Sequence, residues 1–78
     1  MTKAGFRSMM EEVLSVPTGT LKDSDTRDSV PDWSSLCDVQ IMAMVSSELR
    51  IHPDQEIQSF QSVGELLKTL ERRGALEG

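Results

Sequence analysis

Asp32-Trp33-Ser34-Ser35-Leu36 sets two adjacent hydroxyls directly ahead of an apolar run, and a serine at such a junction has two uses. Its oxygen can cap a helix by accepting a backbone N–H. Standing one position later, in the first turn, it can instead carry a modification, because free N–H groups and the helix dipole favour an attached phosphate there. Ser35 with Asp38 fits the Ser-x-x-Asp capping pattern; the alternative has Ser34 as the cap and Ser35 in the first turn with a free hydroxyl. The other reactive side chains do not make a set. Cys37 and His52 are the single cysteine and the single histidine, separated by a helix and without a third orienting group, so they make neither a nucleophile and base pair nor a structural zinc site. Cys37 reads as a partly buried small residue and His52 as a surface residue ahead of a proline. Glu11-Glu12 reads as a solvated helix face, and no Gly-rich phosphate loop or catalytic triad motif is present. Without a convergent set of titratable residues, the expectation is that the protein is not an enzyme.

The elements that must position the serines follow from the apolar spacing. Phe6, Met9, Met10, Val13 and Leu14 form one helical stripe, which predicts a helix over residues 3–15, stopped by Val16-Pro17 and Gly19. Residues 16–34 are rich in turn formers and hold Asp23, Asp25, Asp28 and Asp32. A loop of this length needs pinning, and Leu21, Val30 and Trp33 are the residues to pin it to the core. A second helix is predicted over residues 35–50, apolar around most of its circumference. Ile41, Met42, Val45 and Leu49 gather on one face as core, while Leu36, Val39 and Ala43 form a separate strip that is spare for contact with something else. Pro53, with Asp54 and Glu56 after it, suits the first turn of a short third helix running to about residue 60. Ser62 and Glu65 make a capping box for a fourth helix with the stripe Val63, Leu66, Leu67 and Leu70, closed by Arg72, Arg73 and Gly74. No strand-period run or internal repeat stands out, so the fold class is all-α: four helices around one core, with a long first loop and a short third helix.

Composition bounds what such a fold can do. Seventy-eight residues make a single domain, 1–78, too small for most enzyme folds with a deep cleft of their own. Hydrophobic residues at 37% and charged ones at 27% favour a globular chain over a disordered one. Two Phe, one Trp and no Tyr predict an aliphatic, methionine-rich core. A formal charge of −5 repels a phosphate backbone, so nucleic acid is not an expected partner. One cysteine closes no internal disulfide, and no apolar run has the length of a membrane span or the form of a signal peptide, so the expected setting is cytoplasmic, with no membrane partner.

The order of these elements and their residues together resemble the acyl carrier protein family, including the peptidyl and aminoacyl carriers, over nearly the whole chain. Trp33-Ser34-Ser35-Leu36 resembles the Trp-Asp-Ser-Leu motif of discrete carriers. Pro53-Asp54-Gln55-Glu56-Ile57 resembles the family's third helix, and Ser62-Val63-Gly64-Glu65-Leu66 the capped start of its fourth. The resemblance implies a four-helix carrier fold whose Ser35 is esterified with 4'-phosphopantetheine from coenzyme A, a phosphoprotein that holds an acyl group as a thioester. It implies a monomer whose partners are a phosphopantetheinyl transferase and acyl-loading and acyl-processing enzymes. These would meet it at Ser34, Leu36, Asp38, Val39, Ala43 and Glu48. No metal ligands are implied within the chain. Two residues or groups depart from the family. Ser34 stands where an Asp normally helps engage the transferase and its magnesium ion, and Gln40, Ser46 and Ser47 stand at positions that are often acidic, leaving Asp38 and Glu48. The reduced charge and the Trp-type motif incline the reading toward polyketide or other secondary-metabolite biosynthesis. The rival readings are a carrier-like helical interaction module that is not modified, and a generic helical adaptor whose groove takes an amphipathic helix.

Overall fold

The structure, a computed structural model, describes residues 1–77. Four helices follow one another, α1 (Lys3–Leu14), α2 (Ser35–Leu49), α3 (Gln55–Gln58) and α4 (Val63–Arg72), and among the described residues there is no strand. The all-α expectation holds at this level, and each helix begins and ends for a visible local reason. Thr2 caps α1 by accepting the Gly5 N–H. The helix stops one residue short of the predicted end because Ser15 adopts left-handed geometry, φ 58° and ψ 38°, which lets the Val16 N–H close back on the Glu11 carbonyl. Arg50 ends α2 in the same way, at φ 57°.

Along α1 the buried set is Phe6, Met10 and Leu14, at i, i+4 and i+8, with Met9 and Val13 only half-buried. They meet Ile41 and Val45 of α2, Ile57 of α3, Val63, Leu66, Leu67 and Leu70 of α4, and Phe60 and Leu76 from the connecting and terminal segments. Met42 and Leu49 pack at the edge of this core, not within it. The methionine-rich expectation is corrected, since Met10 alone among the five methionines is fully buried. Branched aliphatics and the two Phe rings fill the interior, where fixed shapes pack better than flexible thioethers.

The long segment 16–34 is ordered as expected by Leu21, Val30 and Trp33, all buried. Two further anchors have no hydrophobic signature. Glu11, read from sequence as solvated, is in fact buried at 2% exposure, and its Oε2 accepts the Gly19 and Leu21 N–H groups at 2.9 and 3.0 Å. The first turn of the loop thus folds onto a carboxylate that the helix supplies, while Glu12 beside it stays exposed. At its middle the loop caps α4. The Asp25 and Asp23 carbonyls accept the Val63 and Gly64 N–H groups, two of the donors a helix start leaves unpaired. A Cβ at Gly64 would lie 2.8 Å from Asp23 Cβ, so only glycine permits this approach.

The third helix is shorter than predicted and shifted. Asp54 is its cap, accepting the Ile57 N–H, so Pro53 lies before the cap and outside the first turn, and helical structure ends at Gln58 instead of near residue 60. In α4, Ser62 caps by accepting the Glu65 N–H, but the Glu65 carboxylate reaches back to the Gln61 N–H, one residue beyond the reciprocal partner of a regular capping box. The chain ends meet in a parallel bridge between Thr2 and Glu77, with the Lys3 N–H donating to the Glu77 carbonyl.

Candidate functional site

The junction of the long loop with α2 decides between the two uses of the serines. Ser34 has extended backbone, φ −94° and ψ 174°, and its hydroxyl accepts the Cys37 N–H at 3.3 Å. Ser34 is therefore the cap, and Ser35 is the first residue of the helix, exposed, with a hydroxyl the cap does not use. The Ser35 and Asp38 capping pattern is not formed: the Asp38 N–H donates to the Ser34 carbonyl, and the Asp38 carboxylate has other partners. It accepts Arg27 Nε at 2.9 and 3.0 Å and the Trp33 indole N–H at 2.6 Å.

Arg27 is the residue that ties this junction together. Its Nη1 donates to the Phe60 carbonyl at 2.7 Å and its Nη2 to the Gln58 carbonyl at 3.4 Å, while the guanidinium lies 3.9 Å from the Phe60 ring centroid. Trp33 and Phe60 pack with ring centroids 5.8 Å apart. One half-buried cation thus joins the loop, the first turn of α2 and the α3–α4 connection, with every contact local to the base of Ser35's helix. Beside it opens a cleft of about 260 Å³ lined by Arg27, Asp38, Val39, Met42, Gln58 and Phe60.

The remaining candidate residues fall into three environments. Leu36 and Val39 are each 64% exposed, and Ala43 is exposed with them, so the spare strip does face outward beside Ser35. Asp38 is half-buried and bound within the molecule. Glu48 is exposed, but nine positions from Val39 at about 100° per residue sets it half a turn away from the strip. Cys37 is buried at the rim of the core, its Sγ 3.4 Å from the Asp32 carbonyl, and His52 is exposed beyond the far end of α2. The two are separated by a helix roughly 20 Å long, so they form no catalytic pair.

Arg27 and Phe60 went unseen in the sequence as parts of the site. An arginine in a polar loop has no period to betray what it reaches, and Phe60 marked only the expected end of the third helix. The acidic pair on α3 is likewise organised by tertiary contact. Asp54 is held below the usual carboxylate range by the Ile57 N–H and then by Arg73, and Glu56 by hydrogen bonds from Arg73 and Arg72. Compared with protein-family models, curated proteins and solved structures, the chain matches none.

Proposed function

We propose that this chain is an acyl carrier protein, folded as a carrier-type four-helix bundle, whose Ser35 is the attachment point for 4'-phosphopantetheine. The observation that carries the reading is the division of labour between the two serines. Ser34 caps α2 by accepting the Cys37 N–H, which leaves the Ser35 hydroxyl exposed in the first turn, where the remaining unpaired N–H groups and the helix dipole suit a phosphodiester. The arm, once attached, supplies a terminal thiol that carries an acyl group as a thioester. Everything else falls to the chain's own residues. Arg27, Asp38 and Trp33 hold the first turn of α2 in place, and the exposed Leu36, Val39 and Ala43 give partners an address next to the serine.

The function in this reading is delivery, not catalysis. Tethering replaces encounters with a free acyl group by encounters with one held at high effective concentration, and the partner enzymes do the chemistry. Docking has to be brief, since a carrier that stays on one partner cannot reach the next. The Trp-type motif and the sparse charge on α2 favour a dedicated secondary-metabolite pathway such as polyketide synthesis.

The test is intact mass before and after incubation with coenzyme A, magnesium and a broad-specificity phosphopantetheinyl transferase, with Ser35→Ala alongside. The expected result is a gain of one phosphopantetheine on the wild type and none on Ser35→Ala, both folded by circular dichroism. A modified Ser35→Ala protein would disprove the assignment. Ser34 in place of the family's Asp favours the second reading, an interaction module that is not modified. Modification that appears only in Ser34→Asp would establish that reading for the natural chain.

A further inference from the structure

The outward face of α2 is free of charge in a chain where 27% of residues are charged and the net charge is −5. Leu36, Val39, Gln40, Ala43, Ser46 and Ser47 are all exposed and all neutral. The helix has two carboxylates, and neither serves this face. Asp38 is bound by Arg27 and Trp33, and Glu48, at about 100° per residue, sits roughly half a turn from Val39 and a third of a turn from Leu36, at the flank of the face. Asp32, the acid next before the cap, lies outside the helix. Beside the face, the cleft of about 260 Å³ has an apolar side formed by Val39, Met42 and Phe60, with room for one apolar side chain, and a polar side formed by the paired Arg27 and Asp38 and by Gln58.

We infer that the protein partner met by the α2 face presents an uncharged, apolar patch with one protruding apolar side chain, and that charge does not steer this recognition. The inference rests on the carrier reading for the identity of the site and departs from it on what recognises the site. A basic patch would find beside Leu36 and Val39 only the Asp38 carboxylate, partly exposed but already paired with Arg27, and its cations would lose water against these side chains without a free partner in return. A second copy of the chain is disfavoured by area. A helix of this length is about 22 Å by 10 Å and offers on the order of 200–300 Å² on one face, against the roughly 800 Å² per partner of a stable interface. The occupant is therefore a transient partner of a different kind.

Two synthetic helical peptides of equal length test this against the unmodified, ¹⁵N-labelled protein: one with a neutral Leu, Ala and Gln face, the other with the same apolar residues flanked by lysines. The neutral peptide is expected to shift the amides of Leu36, Val39, Met42 and Ala43. Its Kd should change less than about twofold between about 50 and about 300 mM NaCl. Val39→Ser should weaken it about tenfold by removing apolar contact. Binding of the lysine peptide alone, lost as salt rises, overturns the inference, as does binding of neither peptide or a concentration-dependent dimer in sedimentation. Neutral-peptide binding by a protein that no transferase modifies would defeat the carrier reading and leave the docking inference standing. A modified protein that binds neither peptide would do the reverse.

Discussion

α4 and α2 dispose of their apolar residues in opposite ways. In α4, Val63, Leu66, Leu67 and Leu70 fall on one stripe and are all buried, and Glu65 and Lys68 face water. In α2, five residues longer at 15 against 10, Ile41 and Val45 are buried with Cys37 while Leu36 and Val39 lie open. The difference is one of phase. The α4 residues recur at three and four positions and stay on one side; those of α2 continue around the helix, beyond the width a small core can cover. Apolar content therefore measures what a helix can bury, and the neighbours decide what it does bury. The uncovered remainder of α2 is available to another molecule.

Truncating one leucine in each helix tests that contrast most sharply. Leu66→Ala, at a site with no exposure, should cost roughly 2–5 kcal/mol in urea denaturation, whereas Leu36→Ala should stay within about 0.5 kcal/mol. Comparable losses would mean that the α2 strip is covered after all. The next effect belongs to the strut that seats α2. Arg27→Ala removes the Asp38 pair and the donors to the Phe60 and Gln58 carbonyls, and should cost roughly 1–3 kcal/mol after allowing for partial exposure of the pair. It should also red-shift Trp33 fluorescence, since the indole loses its packed neighbour. Wild-type stability and emission in that variant would remove Arg27 from its assigned role.

The smallest effect concerns the exposed clasp of α3 on α4. Because Asp54 and Glu56 titrate below their ordinary values in the folded protein, the unfolded chain binds more protons between the two values. The stability they contribute is present above the ordinary carboxylate range, about pH 4, and is lost as pH falls through the lowered folded values. Thermal midpoints should therefore decline below about pH 4, and the double variant Asp54→Asn with Glu56→Gln should show a shallower decline. An identical pH profile in that variant would show that the clasp does not couple to stability.

How legible the molecule was in its sequence varies by residue. Helix identity was readable wherever a stripe had a cap, as in Ser62 ahead of Val63, Leu66, Leu67 and Leu70, because both signals are local. The exposure of Leu36, Val39 and Ala43 was readable from phase alone. The boundaries were less so. Pro53 signalled a first turn, but Asp54 outcompeted it by capping, which moved the helix start past both. At the site, local chemistry favoured Ser35 as the cap, through its spacing to Asp38, over Ser34. The structure has Ser34 in that role, accepting the Cys37 N–H, while the Asp38 carboxylate is held by a loop arginine eleven positions earlier. Glu11 failed in the same manner, as a charged residue that local rules assign to water and that tertiary structure surrounds with N–H donors.

By itself, then, the sequence determined that the chain forms four helices, where their apolar faces lie and that one of those faces has a surplus. These depend on spacing and on caps within a few residues of each other. Only the tertiary structure decided which serine is free, what neutralises Asp38 and how the long loop is held. Each of those is a polar contact between segments far apart in the chain, and its energy depends on burial and partner geometry that no local pattern encodes.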